Sequence, residues 1–213
     1  MNLNSKHARM ISMVADLEEE KTIQLVHALV SAEEDPLKII DSCQKGMKIV
    51  GERYQNGQYF ISGLIMAAEI LREVFEMVQP KIQSLPYRKM TGNIVLGTVA
   101  GDIHDLGKNI FKFLLDCNGI NVIDLGVDVP AQDFIEHVNK YSPDIIGISA
   151  LITGVFDNLK ETIALIRTET KSKAPLIIGG AQIDEGVCRT VGADYWCTDA
   201  CDGVNICMQL IKE

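Results

Sequence analysis

The sequence predicts an α/β protein with an N-terminal helical-bundle cap followed by a doubly wound, five-stranded parallel sheet. Three observations carry this. Up to about Tyr87 the apolar residues recur every three or four positions; past Pro86 short β-branched runs alternate with helical stretches; and the polar link Ser84-Leu-Pro-Tyr-Arg-Lys-Met-Thr-Gly92 separates the two periods. The expected division is a cap over 1–90 and a ligand-binding domain over 91–213.

Asp16 to Val30 reads as the first clear helix, with Glu18 to Glu20 near the N-terminal end where the helix dipole favours negative charge. A shorter helical piece precedes it. Asp35-Pro36 is a cap followed by proline at the first helical position, and Ile40, Cys43, Met47, Val50 and Tyr54 continue at helical spacing. Leu64, Ala67, Ala68, Leu71, Val74, Phe75 and Val78 form a further helix that Pro80 is expected to end, with a short piece at Lys81 to Leu85. The expected strands are Asn93 to Val99, Asn121 to Leu125, Asp144 to Ser149, Leu176 to Ile178 and Asp194 to Cys197. Helices are expected between and after them at Leu106 to Cys117, Ala131 to Tyr141, Phe156 to Thr170, Asp184 to Val191 and Asp202 to Ile211. Short parallel connections need crossover helices, so this alternation implies a doubly wound sheet, which binds ligands at the carboxyl ends of its strands.

Composition excludes several classes. Of 213 residues 47% are apolar and 23% charged, and no segment has the unbroken apolar length of a membrane span. The first fifteen residues lack a signal-peptide core, which points to a cytoplasmic protein. A net charge of −9 argues against nucleic acid and anionic membranes as partners. The six cysteines are scattered through helices and strands and read as free thiols; the spacing of Cys197, Cys201 and Cys207 lacks a C-x-x-C pair.

The chemistry concentrates after the first strand, in Gly101-Asp-Ile-His-Asp-Leu-Gly-Lys-Asn109. Gly101 and Gly107 bracket a loop at the sheet's carboxyl edge and allow close approach of a bulky group. His104 is a candidate metal ligand, and Asp102, two residues away, can accept its other ring N–H and fix the tautomer. Alone, the motif is equally a polar surface loop. It is followed by Gly147-Ile-Ser-Ala-Leu-Ile-Thr153 and Gly179-Gly-Ala181 at later strand ends, small residues that leave a groove into the sheet or serve close helix–sheet packing. His7, His27 and His137 lack such framing and read as surface residues, and Glu69 and Arg72 as a helix-surface pair.

As a set, these motifs resemble the corrinoid proteins of bacterial and archaeal methyltransferase systems, related to the cobalamin module of methionine synthase. The resemblance covers nearly the whole chain and implies a flavodoxin-like cobalamin-binding domain. It implies cobalamin or a related corrinoid as cofactor, cycling between cob(I)alamin and methylcob(III)alamin, with His104 as lower axial ligand to cobalt. Asp102 would hold His104, and the pair would do the catalytic tuning. The nucleotide tail would enter the groove, with Ser149 and Thr153 near its base and Gly179 and Gly180 beside it. Gly101, Asp105, Gly107 and Leu151 complete the binding set. In Gly57-Gln-Tyr-Phe-Ile-Ser-Gly-Leu64 the resemblance makes Phe60 the cover of the methyl face, the alternative being that Tyr59 and Phe60 are bundle core. The chain departs from the pattern twice. Val155 stands where methionine synthase has a relay serine, and Ser62 where the family has proline.

The function so implied is a methyl carrier, not catalytic alone, serving a donor-specific methyltransferase, an acceptor methyltransferase using tetrahydrofolate or a thiol, and a reductive activator. A corrinoid-sensing regulator would share both domains but need an output module; no basic DNA-binding segment precedes the cap and nothing follows Glu213. The cobalamin subunit of a mutase usually lacks such a cap, and a non-corrinoid flavodoxin-like binder is the remaining alternative.

Overall fold

The structure is a computed structural model and describes residues 3–84 and 92–211. The chain forms two compact units, Met1–Pro86 and Tyr87–Glu213. The division expected at 90/91, like Leu85, falls outside the described residues.

The first unit is four helices, α1 (Leu3–Ala15), α2 (Glu19–Ser31), α3 (Pro36–Gln55) and α4 (Ile61–Gln83). Asp35 caps α3 as the sequence suggests, its carboxylate accepting the Leu37 amide at 3.0 Å with Pro36 at the first position. Met10, Val14, Val26, Leu29, Ile40, Cys43, Val50, Ile70 and Val74 are each fully buried and make the core. Two expectations are corrected. Pro80 does not end its helix: α4 runs through it to Gln83, and residues 81–83 are its last turn. Burial of Val78 and Ile82, one helical turn apart, holds that turn in place despite the lost backbone donor. His7 is not a surface residue, for its Nδ1 lies 2.8 Å from the buried Ser42 hydroxyl and ties α1 to α3.

The second unit is a five-stranded, all-parallel sheet in the order β2-β1-β3-β4-β5. Its strands are β1 (Gly92–Thr98), β2 (Ile120–Asp124), β3 (Ile145–Ser149), β4 (Leu176–Gly179) and β5 (Tyr195–Cys197). The helices are α5 (Leu106–Cys117), α6 (Ala131–Tyr141), α7 (Phe156–Glu169), α8 (Glu185–Val191) and α9 (Ala200–Leu210). Helix α5 packs with α9, and α7 packs with both α6 and α8, which gives the sheet its two covered faces. Val95, Ile146, Ile148 and Ile178 meet Phe134, Leu159 and Ile163 in a continuous core. Helix α9 begins two residues before the expected Asp202 because the Asp199 carboxylate accepts the Asp202 amide at 2.9 Å; Asp184 is likewise the cap of α8, not its first residue. Strand order reverses at β1, whose neighbours β2 and β3 lie on opposite sides, so the loops after β1 and β3 diverge there.

A buried ion pair anchors α5 to the end of β2. The Lys108 ammonium, its side chain 2% exposed, contacts both oxygens of Asp124 at 2.7 and 2.9 Å. Burial pushes the Asp124 carboxyl up, but Lys108 and the Gly126 amide outweigh it and hold the carboxyl below the ordinary range. Asp124→Asn should therefore cost about 3 kcal/mol at neutral pH, since Lys108 stays buried without its counter-charge. A depressed carboxylate contributes stability above its unfolded pKa of about 4 and loses it as pH falls through the folded value. The variant's stability should thus fall less steeply in acid, which urea melts between neutral pH and about pH 3 would show; parallel curves for the two proteins would contradict it.

Candidate functional site

The loop between β1 and α5 turns at Gly101, whose φ of +88° a side chain would strain and whose Cβ position lies 3.2 Å from Val155 Cγ1. This turn places Asp102 fully buried beneath the carboxyl edge of the sheet, while His104 remains half exposed. Asp102 Oδ1 accepts from the His104 amide at 3.1 Å and lies 2.6 Å from His104 Nδ1. Oδ2 accepts the Leu151 amide at 2.6 Å, from the loop that follows β3. Burial raises the Asp102 carboxyl, but the Leu151 amide and then the His104 ring and amide outweigh it and keep the group below the usual carboxylate range. An ionised carboxylate only accepts, so in the neutral imidazole the proton belongs on Nδ1 and Nε2 is the unprotonated nitrogen, suited to a metal.

Of the other sequence candidates in this unit, one bonds to the pair and the rest lie at the same edge of the sheet. Leu151 contributes its backbone amide. Asp105 is the cap residue of α5, its carbonyl accepting the Asn109 amide at 2.7 Å and its carboxylate the Asn109 side-chain amide at 3.0 Å. Gly107, one residue into α5, faces open space. Ser149 ends β3 half-buried, and the exposed Thr153 opens a one-turn 3₁₀ helix, Thr153–Val155, before α7. At the end of β4, Gly179 and Gly180 face their neighbours closely. A Cβ on Gly179 would sit 3.3 Å from Cys197 Sγ, and one on Gly180 only 2.0 Å from the Ala150 carbonyl oxygen. Gly180 is therefore required by the adjacent backbone as well as by any ligand beside it. Val155 is buried and supplies no polar atom, and Asp102 Oδ2 is bonded by the Leu151 backbone amide. In the other unit, Phe60 immediately precedes α4 and is 80% exposed, which removes it from the bundle core; Tyr59 donates to the Ala15 carbonyl at 2.9 Å.

The sequence reading missed three apolar residues at this edge. Ile103 (72% exposed), Val127 (38%) and Ile152 (41%) stand on the loops after β1, β2 and β3, one each, and present apolar surface at the same carboxyl edge of the sheet as His104. Their own loops give no signal that singles them out, since Val127 lies between Leu125 and Val129 and Ile152 follows Leu151. The loop after β2 is also bonded to the histidine loop through Asp128, which was not singled out. Burial pushes the Cys43, Cys197 and Cys207 thiols up to about 12, leaving them protonated and poor metal ligands at neutral pH. Among the described residues no cluster of three metal-binding side chains occurs and no helix is long and apolar enough to cross a membrane.

Two family models, each described as a B12 binding domain, match residues 92–204 and 7–79. Trimethylamine corrinoid protein 2 of Methanosarcina acetivorans is 32% identical over 93% of this chain and 93% of its own length. The monomethylamine corrinoid protein of Methanosarcina barkeri superposes with a TM-score of 0.83 at 22% identity, over 98% of this chain and 100% of that one, and so shares the fold. The methanol:cobalamin methyltransferase complex of the same organism contains a chain 28% identical to this one, with a TM-score of 0.53 over 100% of this chain and 81% of that chain.

The Asp102–His104 geometry is testable without any cofactor. In Asp102→Asn an amide replaces the obligate acceptor, and the imidazole should lose its fixed tautomer. Ring ¹⁵N shifts of His104 should then move from those of a single Nδ1–H form towards the averaged values of a free imidazole. Unchanged ring shifts would show that Asp102 does not set the tautomer.

Proposed function

The chain belongs to the B12-binding corrinoid proteins of methyltransferase systems, and from that premise we propose that it carries a methyl group between two methyltransferases, with His104 as the protein's axial ligand to the corrinoid cobalt. The observation that carries this reading is the half-exposed imidazole whose Nδ1 is held by a fully buried carboxylate, at the reversal of strand order. The corrinoid supplies a cobalt centre that takes up a methyl group when reduced and releases it to an acceptor.

The residues fit such a group. A single neutral imidazole with an unprotonated Nε2 is the right donor for one axial position, and Ile103, Val127 and Ile152 offer the apolar contact that a macrocycle's face requires. Asp102 draws on the Nδ1 proton and so raises the basicity of Nε2. Gly107 leaves space beside the loop, and Ser149, Thr153, Gly179 and Gly180 would line the path of the nucleotide tail, with Gly101, Asp105 and Leu151 shaping the seat. Residues 1–90 would act as a cap domain and 91–213 as the cobalamin-binding domain. Phe60, exposed at the head of α4, would cover the reactive face, shielding it from water and oxidant until a partner takes its place.

Methyltransferases are the expected partners: one specific for the methyl donor, and a second that passes the group to tetrahydrofolate or a thiol. A reductive activator would restore cobalt that has lost an electron. The cytoplasm suits this assignment.

His104→Ala and Phe60→Ala separate ligation from cover. With protein reconstituted with hydroxocobalamin, reduced and methylated by iodomethane, His104→Ala should retain corrinoid at least about tenfold more weakly and lose the spectrum of imidazole ligation. Phe60→Ala should keep both and change stability by no more than about 0.5 kcal/mol, while its reduced cobalt oxidises faster in trace air. A His104→Ala protein that binds and takes up methyl as the wild type does would refute the assignment.

A further inference from the structure

We propose that Asp128 is a positioning residue for the axial ligand, holding the loop that carries Asp102 and His104 from the side opposite to Leu151. The proposal rests on the reading of His104 as ligand and adds a residue to it. Asp128 lies in the loop that follows β2 and reaches the histidine loop twice. Its Oδ1 accepts the Gly101 amide at 2.7 Å, and its own amide donates to the Asp102 carbonyl at 2.9 Å. The two bonds hold the Ala100–Gly101 and Asp102–Ile103 peptides, which flank the Gly101–Asp102 peptide on both sides, and that central peptide is held in turn by its own amide donating to the Val99 carbonyl at 3.1 Å.

The backbone at Asp128 supports the same conclusion. Its φ of +53° lies in the left-handed region, which is unfavourable for a residue with a side chain, and aspartate is one of the few that enter it. An unfavourable conformation persists where surrounding contacts fix it. Here those contacts point at the histidine loop.

The whole segment is pinned to β1: the Thr98 amide donates to the Gly126 carbonyl at 2.9 Å, and the Val129 amide to the Thr98 carbonyl at 2.9 Å. Asp124 fixes the start of the segment through Lys108 and the Gly126 amide. Asp128 is thus a rigid post and not a loose surface carboxylate. Asp102 is bonded from both neighbouring strand loops, at its carbonyl by Asp128 and at its carboxylate by Leu151, and the position of His104 follows from that double attachment.

The decisive variant is Asp128→Gly. Glycine accepts the left-handed conformation and keeps the amide bond to Asp102, so only the carboxylate bond to Gly101 is removed. Asp128→Asn retains an oxygen acceptor and serves as the conservative control. In the cofactor-free full chain, hydrogen exchange at the Gly101 amide should be about tenfold faster in the glycine variant, the loss expected for one charge-assisted bond. After loading with hydroxocobalamin and reduction to Co(II), the visible spectrum should show a smaller imidazole-ligated fraction in Asp128→Gly, with Asp128→Asn close to wild type. Ligation equal to wild type in Asp128→Gly overturns the proposal, whether or not Gly101 exchange changes, because Asp128 would then shape only its own loop. A wild-type protein with no imidazole-ligated form is a different failure, seen before any variant is made; it refutes His104 as ligand and the role of Asp128 with it.

Discussion

The site depends on one buried carboxylate. Asp102 is fully removed from solvent, and a charge there is tolerated only because the Leu151 amide, the His104 amide and the His104 ring all donate to it. Each such bond to an ionised group contributes about 1.5–3 kcal/mol, so loss of any one leaves a poorly solvated charge and should displace the loop. The same bonds decide the chemistry. They keep Asp102 ionised, ionisation makes it a pure acceptor, and an acceptor at Nδ1 leaves Nε2 as the unprotonated nitrogen of the neutral ring. Position, tautomer and donor strength of the imidazole therefore have a common cause.

The fold supplies this cause through topology. β1 is central, and its neighbours β2 and β3 send their following loops to opposite flanks of the histidine loop. Leu151 arrives from the β3 side and the Asp128 segment from the β2 side. Gly101 makes the turn possible, and Gly180 lets the β4 loop pass within contact of the Ala150 carbonyl beside it. The sheet core below, built on Val95, Ile146, Ile148 and Phe134, is a rigid base against which the loops keep their spacing.

Much of this was legible in the sequence because it is local. The change of period near Pro86, the helices Leu106–Cys117 and Ala131–Tyr141 and the pairing of Asp102 with His104 each come from residues close together in the chain, where periodicity or spacing carries the information. Capping was read correctly at Asp35, whereas the start of α9 was expected two residues late, at Asp202, since that residue offered an equally good acidic start. Pro80 misled because a local rule was applied where packing of Ile82 prevails. The contributions of Leu151 as a backbone donor, of Asp128 and of Ile103, Val127 and Ile152 were not legible. They join loops 25 to 50 residues apart in sequence and appear only when strand order sets those loops side by side. His7 was misread for the same reason, its partner Ser42 being on another helix.

The central claim is that His104 Nε2 ligates the cobalt of a bound corrinoid. Electron paramagnetic resonance of the Co(II) form tests it most directly, using protein grown with ¹⁵N-histidine and loaded with unlabelled hydroxocobalamin. Ligation by His104 predicts superhyperfine splitting from one axial nitrogen that changes from a triplet in unlabelled protein to a doublet in labelled protein. A triplet in both would place the cofactor's own base on the cobalt and contradict the account.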